Sequence, residues 1–147
     1  IGGKVVATFA DNLAKYHNSK YCIPCGNGTD ALQIAMMALG LQPGDEVITP
    51  SFTYIATVEV AALLHIQPVF VEVDAKTFCM DPAAVEKAIT PKTKAIVPVH
   101  LYGHAANMEA IMKIAAEHHL FVIELIKHHA HLLMLFIDDL LQFPSFV

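Results

Sequence analysis

The sequence predicts an α/β protein of three layers: alternating β-α units, with a mainly parallel sheet covered by helices on both faces. Three observations carry this reading. Short apolar runs rich in β-branched residues, such as 68–73, alternate with longer stretches of helical spacing, such as 5–16. Turn chemistry separates them, as at Leu41-Gln42-Pro43-Gly44-Asp45 and Thr90-Pro91-Lys92-Thr93. The 147 residues are 55% hydrophobic, with mean hydropathy +0.50, enough for one domain's core and apolar enough to be the inside of something larger. Regular alternation implies right-handed β-α-β crossovers, and in such sheets ligands bind outside the carboxyl ends of the strands.

Taken in order, Val5, Val6, Phe9, Leu13 and Tyr16 space an amphipathic surface helix. Tyr21-Cys22-Ile23-Pro24-Cys25 is a short strand, and a helix beginning at Thr29 as its N-cap stops at Gly40. Residues 46–49 form a second strand, and Pro50-Ser51-Phe52-Thr53-Tyr54 leads from its carboxyl end into a helix ending near His65. The third strand, 68–73, is closed by Asp74-Ala75-Lys76-Thr77, and Asp81-Pro82 starts the next helix with an acidic cap and a proline in the first turn. A fourth strand covers 94–99 and should end or lie unpaired at Pro98, which lacks an N–H. After the loop His100-Leu101-Tyr102-Gly103-His104, Asn107 caps a helix to about His119, and 120–124 is a fifth strand. This topology gathers Gly28, Tyr54, His100 and the residue after Glu124 at one edge.

The formal net charge of -5 argues against nucleic acid or an anionic membrane as the main partner. The densest apolar run, 132–137, is far too short to span a bilayer. Three cysteines without a secretion signal point to a reducing compartment, with the cytoplasm as the default. The chain opens Ile1-Gly2-Gly3-Lys4, with neither Met nor a signal-peptide pattern, which suggests a missing piece.

The chemistry centres on Cys25-Gly26-Asn27-Gly28-Thr29-Asp30-Ala31-Leu32. Its glycines permit backbone angles that let consecutive N–H groups converge, and a helix N-terminus favours an anion such as phosphate. Two rival features compete. Cys22-Ile23-Pro24-Cys25 has the C-x-x-C form of thiol oxidoreductases, but it lies in a strand and not at a helix start. His128, His129 and His131, with Asp138 and Asp139, form a histidine-rich tract able to bind a metal adventitiously; no designed metal site is expected.

Four motifs in order carry a resemblance. Asn27-Gly28-Thr29-Asp30-Ala31-Leu32, Pro43-Gly44-Asp45-Glu46-Val47-Ile48-Thr49-Pro50, Phe52-Thr53-Tyr54-Ile55-Ala56-Thr57 and Pro98-Val99-His100-Leu101-Tyr102-Gly103 resemble the DegT/DnrJ/StrS family of PLP-dependent sugar aminotransferases. The resemblance implies part of a fold-type I PLP-transferase large domain over residues 1–124. It also implies a homodimer that moves an amino group from glutamate to a nucleotide-linked keto sugar in carbohydrate biosynthesis. By position, Gly28 and Thr29 would hold the phosphate of pyridoxal 5'-phosphate, and Tyr54 would stack on its ring. His100 is expected to position a loop.

The resemblance stops after Glu124. There it implies an aspartate, partner of the cofactor's pyridinium nitrogen, and shortly beyond it a glutamine, where this chain has Leu125-Ile126-Lys127-His128. The Schiff-base lysine is also missing: Phe143-Pro144-Ser145 faintly resembles its segment, but Phe146 stands in the lysine's place. Residues 125–147 therefore read as a divergent tail, from a shifted reading frame or a truncated gene, in which Ile126, Ala130, Leu133, Ile137 and Leu141 have helical spacing. The implied neighbour of the first strand lies in the later part of the fold, so the phosphate turn is expected to lack its support. The expected product is an inactive monomer or aggregate with weak or absent cofactor binding. A noncatalytic partner of an active homologue, or a histidine-tail metal-binding module, are the alternatives.

Overall fold

The structure, a computed structural model, describes residues 3–126 and 134–136. Four parallel strands form the central sheet: β2 (Glu46–Pro50), β3 (Gln67–Val71), β4 (Thr93–Ile96) and β6 (Phe121–Val122), in the order β3-β2-β4-β6. Alternation along each strand feeds two cores. Val47 and Ala95 face one side, with Leu32, Ala35 and Met36 of α2 (Gly28–Ala38) and Val60 and Ala61 of α3 (Ala56–Leu63). Ile48 and Ile96 face the other, with Val85 of α4 (Pro82–Ala88) and Ile111 and Ala115 of α5 (Met108–His118). Strands buried on both faces need continuous apolar sequence, which Val47-Ile48 and Ala95-Ile96-Val97 provide. The three-layer α/β prediction holds.

Pro98 interrupts the fourth strand as expected. Beyond it, β5 (Val99–His100) runs parallel to β7 (Leu125–Ile126), with Val99 opposite Leu125. The Leu125 N–H donates to the Pro98 carbonyl (2.9 Å), so the backbone of β6 continues in extended form past Glu124. Gly40 ends α2 with φ +70°, and Asp81 and Asn107 cap α4 and α5 through their side-chain oxygens.

Three expectations are corrected. The N-cap of α2 is Asn27, not Thr29, because the Asn27 side chain accepts the Asp30 N–H (2.9 Å) while Thr29 is already helical. The turn also needs no unusual glycine angles: positive φ occurs at Gly40, Gly44 and Gly103, not at Gly26 or Gly28. At Gly26 the contact is one of space instead: a Cβ there would lie 2.9 Å from the Asp30 carboxylate and displace that side chain from its bond to Asn27. Third, the described parts of the tail are strands where helical spacing suggested a helix. β7 continues the line of β6, and β8 (Met134–Phe136) pairs antiparallel with β1 (Cys22–Pro24), Ile23 opposite Leu135. A short apolar run fits either periodicity, and the backbone groups along β1 favour the strand.

This pairing also gives β1 a neighbour the sequence did not promise, drawn from the tail. The amino-terminal helix α1 (Lys4–Tyr16) packs on β1. It buries Ala10 and Ala14 and leaves Val5 and Phe9 of its apolar stripe exposed. Among the described residues, no helix is long and apolar enough to cross a membrane.

Candidate functional site

The carboxyl-end edge of the sheet collects most of the candidate residues through connectivity. α2 ends in the loop that feeds the amino end of β2, and it packs on α3, which begins after the carboxyl end of β2. The first turn of α2 therefore points to the edge where the 51–54 segment, loop 101–106 and Glu124 emerge.

In that first turn, Asn27 takes up one of the four amides that a helix start leaves over and accepts the first bond of the helix itself. Its side chain accepts from Asp30, and its carbonyl accepts from Ala31 (3.1 Å). The Asn27 side-chain Nδ2 in turn donates to the Asp30 carboxylate (3.0 Å), so the two residues cap each other through their side chains. The N–H groups of Gly28 and Thr29, the first two helical residues, have no acceptor within the helix. Those two donors are positioned for an anion, beside a carboxylate already satisfied by Asn27.

Tyr54 follows on the exit from β2 and is 57% exposed. The same stretch of sequence carries three buried hydroxyls, those of Thr49, Thr53 and Thr57, with no hydrogen-bond partner among the described residues. A buried hydroxyl left without a partner costs about 1–3 kcal/mol, so these are the groups of this connection that a polar partner would satisfy. Sequence reasoning took Tyr54 from the motif Phe52-Thr53-Tyr54-Ile55-Ala56-Thr57 and passed over Thr53 and Thr57. The signal was present: threonines at 49, 53 and 57 repeat every fourth residue across the connection.

At the end of β6, Leu125 is 8% exposed and shares its core cluster with Val97, Val99 and Ile123. It offers no acceptor where the resemblance implies a carboxylate. The neighbouring Glu124 does not replace one. Its carboxylate is held by the His100 ring at Nε2, while His100 Nδ1 accepts the Ala106 N–H (2.9 Å). The residues thus fit pyridoxal phosphate at its phosphate end and not at its ring nitrogen.

The rival C-x-x-C reading loses its chemistry. Burial pushes the Cys22 and Cys25 thiols up, Cys22 further through Cys25 and Cys25 further through Asp30. A nucleophilic pair needs the opposite shift. His128, His129, His131, Asp138 and Asp139 lie outside the described residues. An open cavity of about 510 Å³, lined by Thr90, Lys94, His118 and His119 among others, sits by the amino ends of β4 and β6 and includes no candidate residue.

The profile of the DegT/DnrJ/EryC1/StrS aminotransferase family matches residues 1–129. The chain belongs to this family. Within it, a Pseudomonas aeruginosa UDP-2-acetamido-2-deoxy-3-oxo-D-glucuronate aminotransferase is 56% identical over 122 residues, covering 83% of this chain and 34% of the relative. Among solved structures, S. venezuelae DesV in complex with a ketimine intermediate superimposes with TM-score 0.81 at 43% identity, over 83% of this chain and 33% of the other. NtdA from Bacillus subtilis with bound cofactor PMP also gives TM-score 0.81 at 43% identity, over 83% and 28%. This family member spans about a third of the length of these relatives. The match reaches five residues beyond Glu124, to His129.

Proposed function

We propose that this chain carries the phosphate-anchoring part of a PLP-dependent aminotransferase, whose whole form moves an amino group from glutamate to a nucleotide-linked keto sugar. The observation that carries the reading is the pair of N–H groups at Gly28 and Thr29 that the helix leaves without an acceptor at the start of α2, in the family's own motif. The amides hold the cofactor's phosphate, and Tyr54 covers one face of its ring, restricting orientation and excluding water. When bound, the cofactor supplies an electron sink for the amino transfer; the protein supplies position and surroundings.

This chain on its own is expected to bind the cofactor weakly and not to turn over. Leu125 cannot balance a pyridinium charge, and no lysine stands in the 143–146 segment that resembles the Schiff-base motif. Residues 1–124 are the cofactor-binding part and 125–147 a divergent tail. The intact form is a cytoplasmic homodimer of carbohydrate biosynthesis. Burial of Leu125 in the core favours a second reading, a noncatalytic partner that keeps the fold and associates with an active homologue.

The test is a pyridoxal phosphate titration of the full chain and of Thr29→Pro. Proline at the second helical position removes one amide donor and keeps the helix. Affinity should fall about tenfold in the variant. Equal affinity in both, or none in either, would sink the phosphate-anchor reading.

A further inference from the structure

We propose that His100 is a positioning residue: held as the Nε2–H tautomer between Ala106 and Glu124, it pins loop 101–106 so that Tyr102 braces the segment bearing Tyr54. Only the consequence for the cofactor ring rests on the aminotransferase reading; the clamp stands by itself.

The tautomer follows from the partners. A backbone N–H can only donate, so Nδ1 of His100, which receives it from Ala106 at 2.9 Å, carries no proton. The ring proton is then on Nε2, facing the Glu124 carboxylate, which can only accept when ionised. The His100 side chain is 12% exposed, and its two contacts join residues 6 and 24 positions away. One ring thereby ties loop 101–106 to the end of β6.

That loop needs holding. Tyr102 and Gly103 both have positive φ, 53° and 81°, as a tight two-residue turn closed by a Leu101–His104 bridge demands, and tyrosine rarely adopts that conformation. The Cys79 thiol donates to the His104 carbonyl (3.5 Å) as a second tether. Held so, the Tyr102 ring lies 6.4 Å from Phe52 and 6.1 Å from Phe78, while Phe52 and Phe78 are 5.7 Å apart. Phe52 is two residues from Tyr54 on the same exit from β2. The path from His100 to Tyr54 is therefore a run of bonded or packed groups: ring, loop, Tyr102, Phe52, and the short backbone to Tyr54. All three rings are more than 40% exposed, so the core does not fix them; the loops do.

The experiment uses the full 147-residue chain, labelled with nitrogen-15, and two isosteric variants. His100→Asn keeps an acceptor near Nδ1 for Ala106 and gives up Glu124; His100→Gln does the reverse. The ring-nitrogen shifts of wild type should show Nδ1 unprotonated and Nε2 protonated. Ala106 amide exchange should quicken about tenfold in His100→Gln and stay near wild type in His100→Asn. The dichroism induced in bound pyridoxal phosphate should fall in His100→Gln and be rescued in His100→Asn, with both variants melting alike. A protonated Nδ1, or unchanged Ala106 exchange in His100→Gln, overturns the proposal. If wild type binds no pyridoxal phosphate, the aminotransferase reading fails while ring shifts and exchange still decide the clamp. If the variants do not fold, the wild-type ring shifts decide it.

Discussion

Strands β2 and β4 lie inside the sheet with both faces packed, whereas β1 leaves Ile23 38% exposed and, among the described residues, pairs with β8. The sheet is held by side chains contributed from its own β-α units. The strand that leads into the phosphate turn is held by backbone pairing to a segment more than a hundred positions later. Two parts of one candidate site thus rest on different physics: one on burial, the other on a short ladder that needs a distant partner. A three-residue strand has little stability of its own, so the turn is only as firm as that ladder and the packing of α1 and α2 around it.

The largest effect should come from asking the same substitution of both regions. Ile96→Ala, at a fully buried position of β4, should cost about 2–5 kcal/mol in urea unfolding, and Ile23→Ala less than about 1 kcal/mol. Similar losses at both sites would mean that β1 belongs to the cooperative core, and the contrast would fall.

A second measurement reads geometry. Phe136 stands opposite Cys22 in the β1–β8 register, and directly opposed residues in antiparallel pairs have Cα atoms about 4.5–5.5 Å apart, within disulfide range. Phe136→Cys should therefore crosslink on mild oxidation, shifting the band on a non-reducing gel, and adding Cys22→Ser should abolish the shift. A crosslink to Cys25 or Cys79, or none, would show that β8 does not sit on β1 in this register.

A smaller change than that at Ile96 is expected at the turn itself. Asn27→Ala removes the cap on α2 and should cost about 1 kcal/mol of stability, read by the same urea titration. Thr29→Ala, by contrast, should cost less. The reverse order would restore Thr29 as the cap.

Much of this was legible in the chain. The apolar pairs Val47-Ile48 and Ala95-Ile96 announced strands buried on both faces, and Pro98 announced the break between β4 and β5. The true cap was also visible, since Asn27 stands three residues before Asp30 in the spacing of a reciprocal cap; the hydroxyl of Thr29 merely competed for the role. Less could be read where remote residues meet. His100 and Glu124 are 24 positions apart, and neither has a local pattern that names the other. The tail was ambiguous for a different reason: the 132–137 run is apolar throughout, and such a run carries no periodicity.

Local pattern by itself determined the order of elements, the parallel sheet, its two buried faces and the family motifs, because periodicity, turn residues and caps act over a few neighbouring positions. Tertiary structure alone decided which strand lies beside β1, which nitrogen of His100 carries the proton, and that Leu125 is sunk in the core beside an occupied Glu124. Those outcomes depend on hydrogen bonds and packing between distant segments, whose free energy exists only once the chain has brought them together.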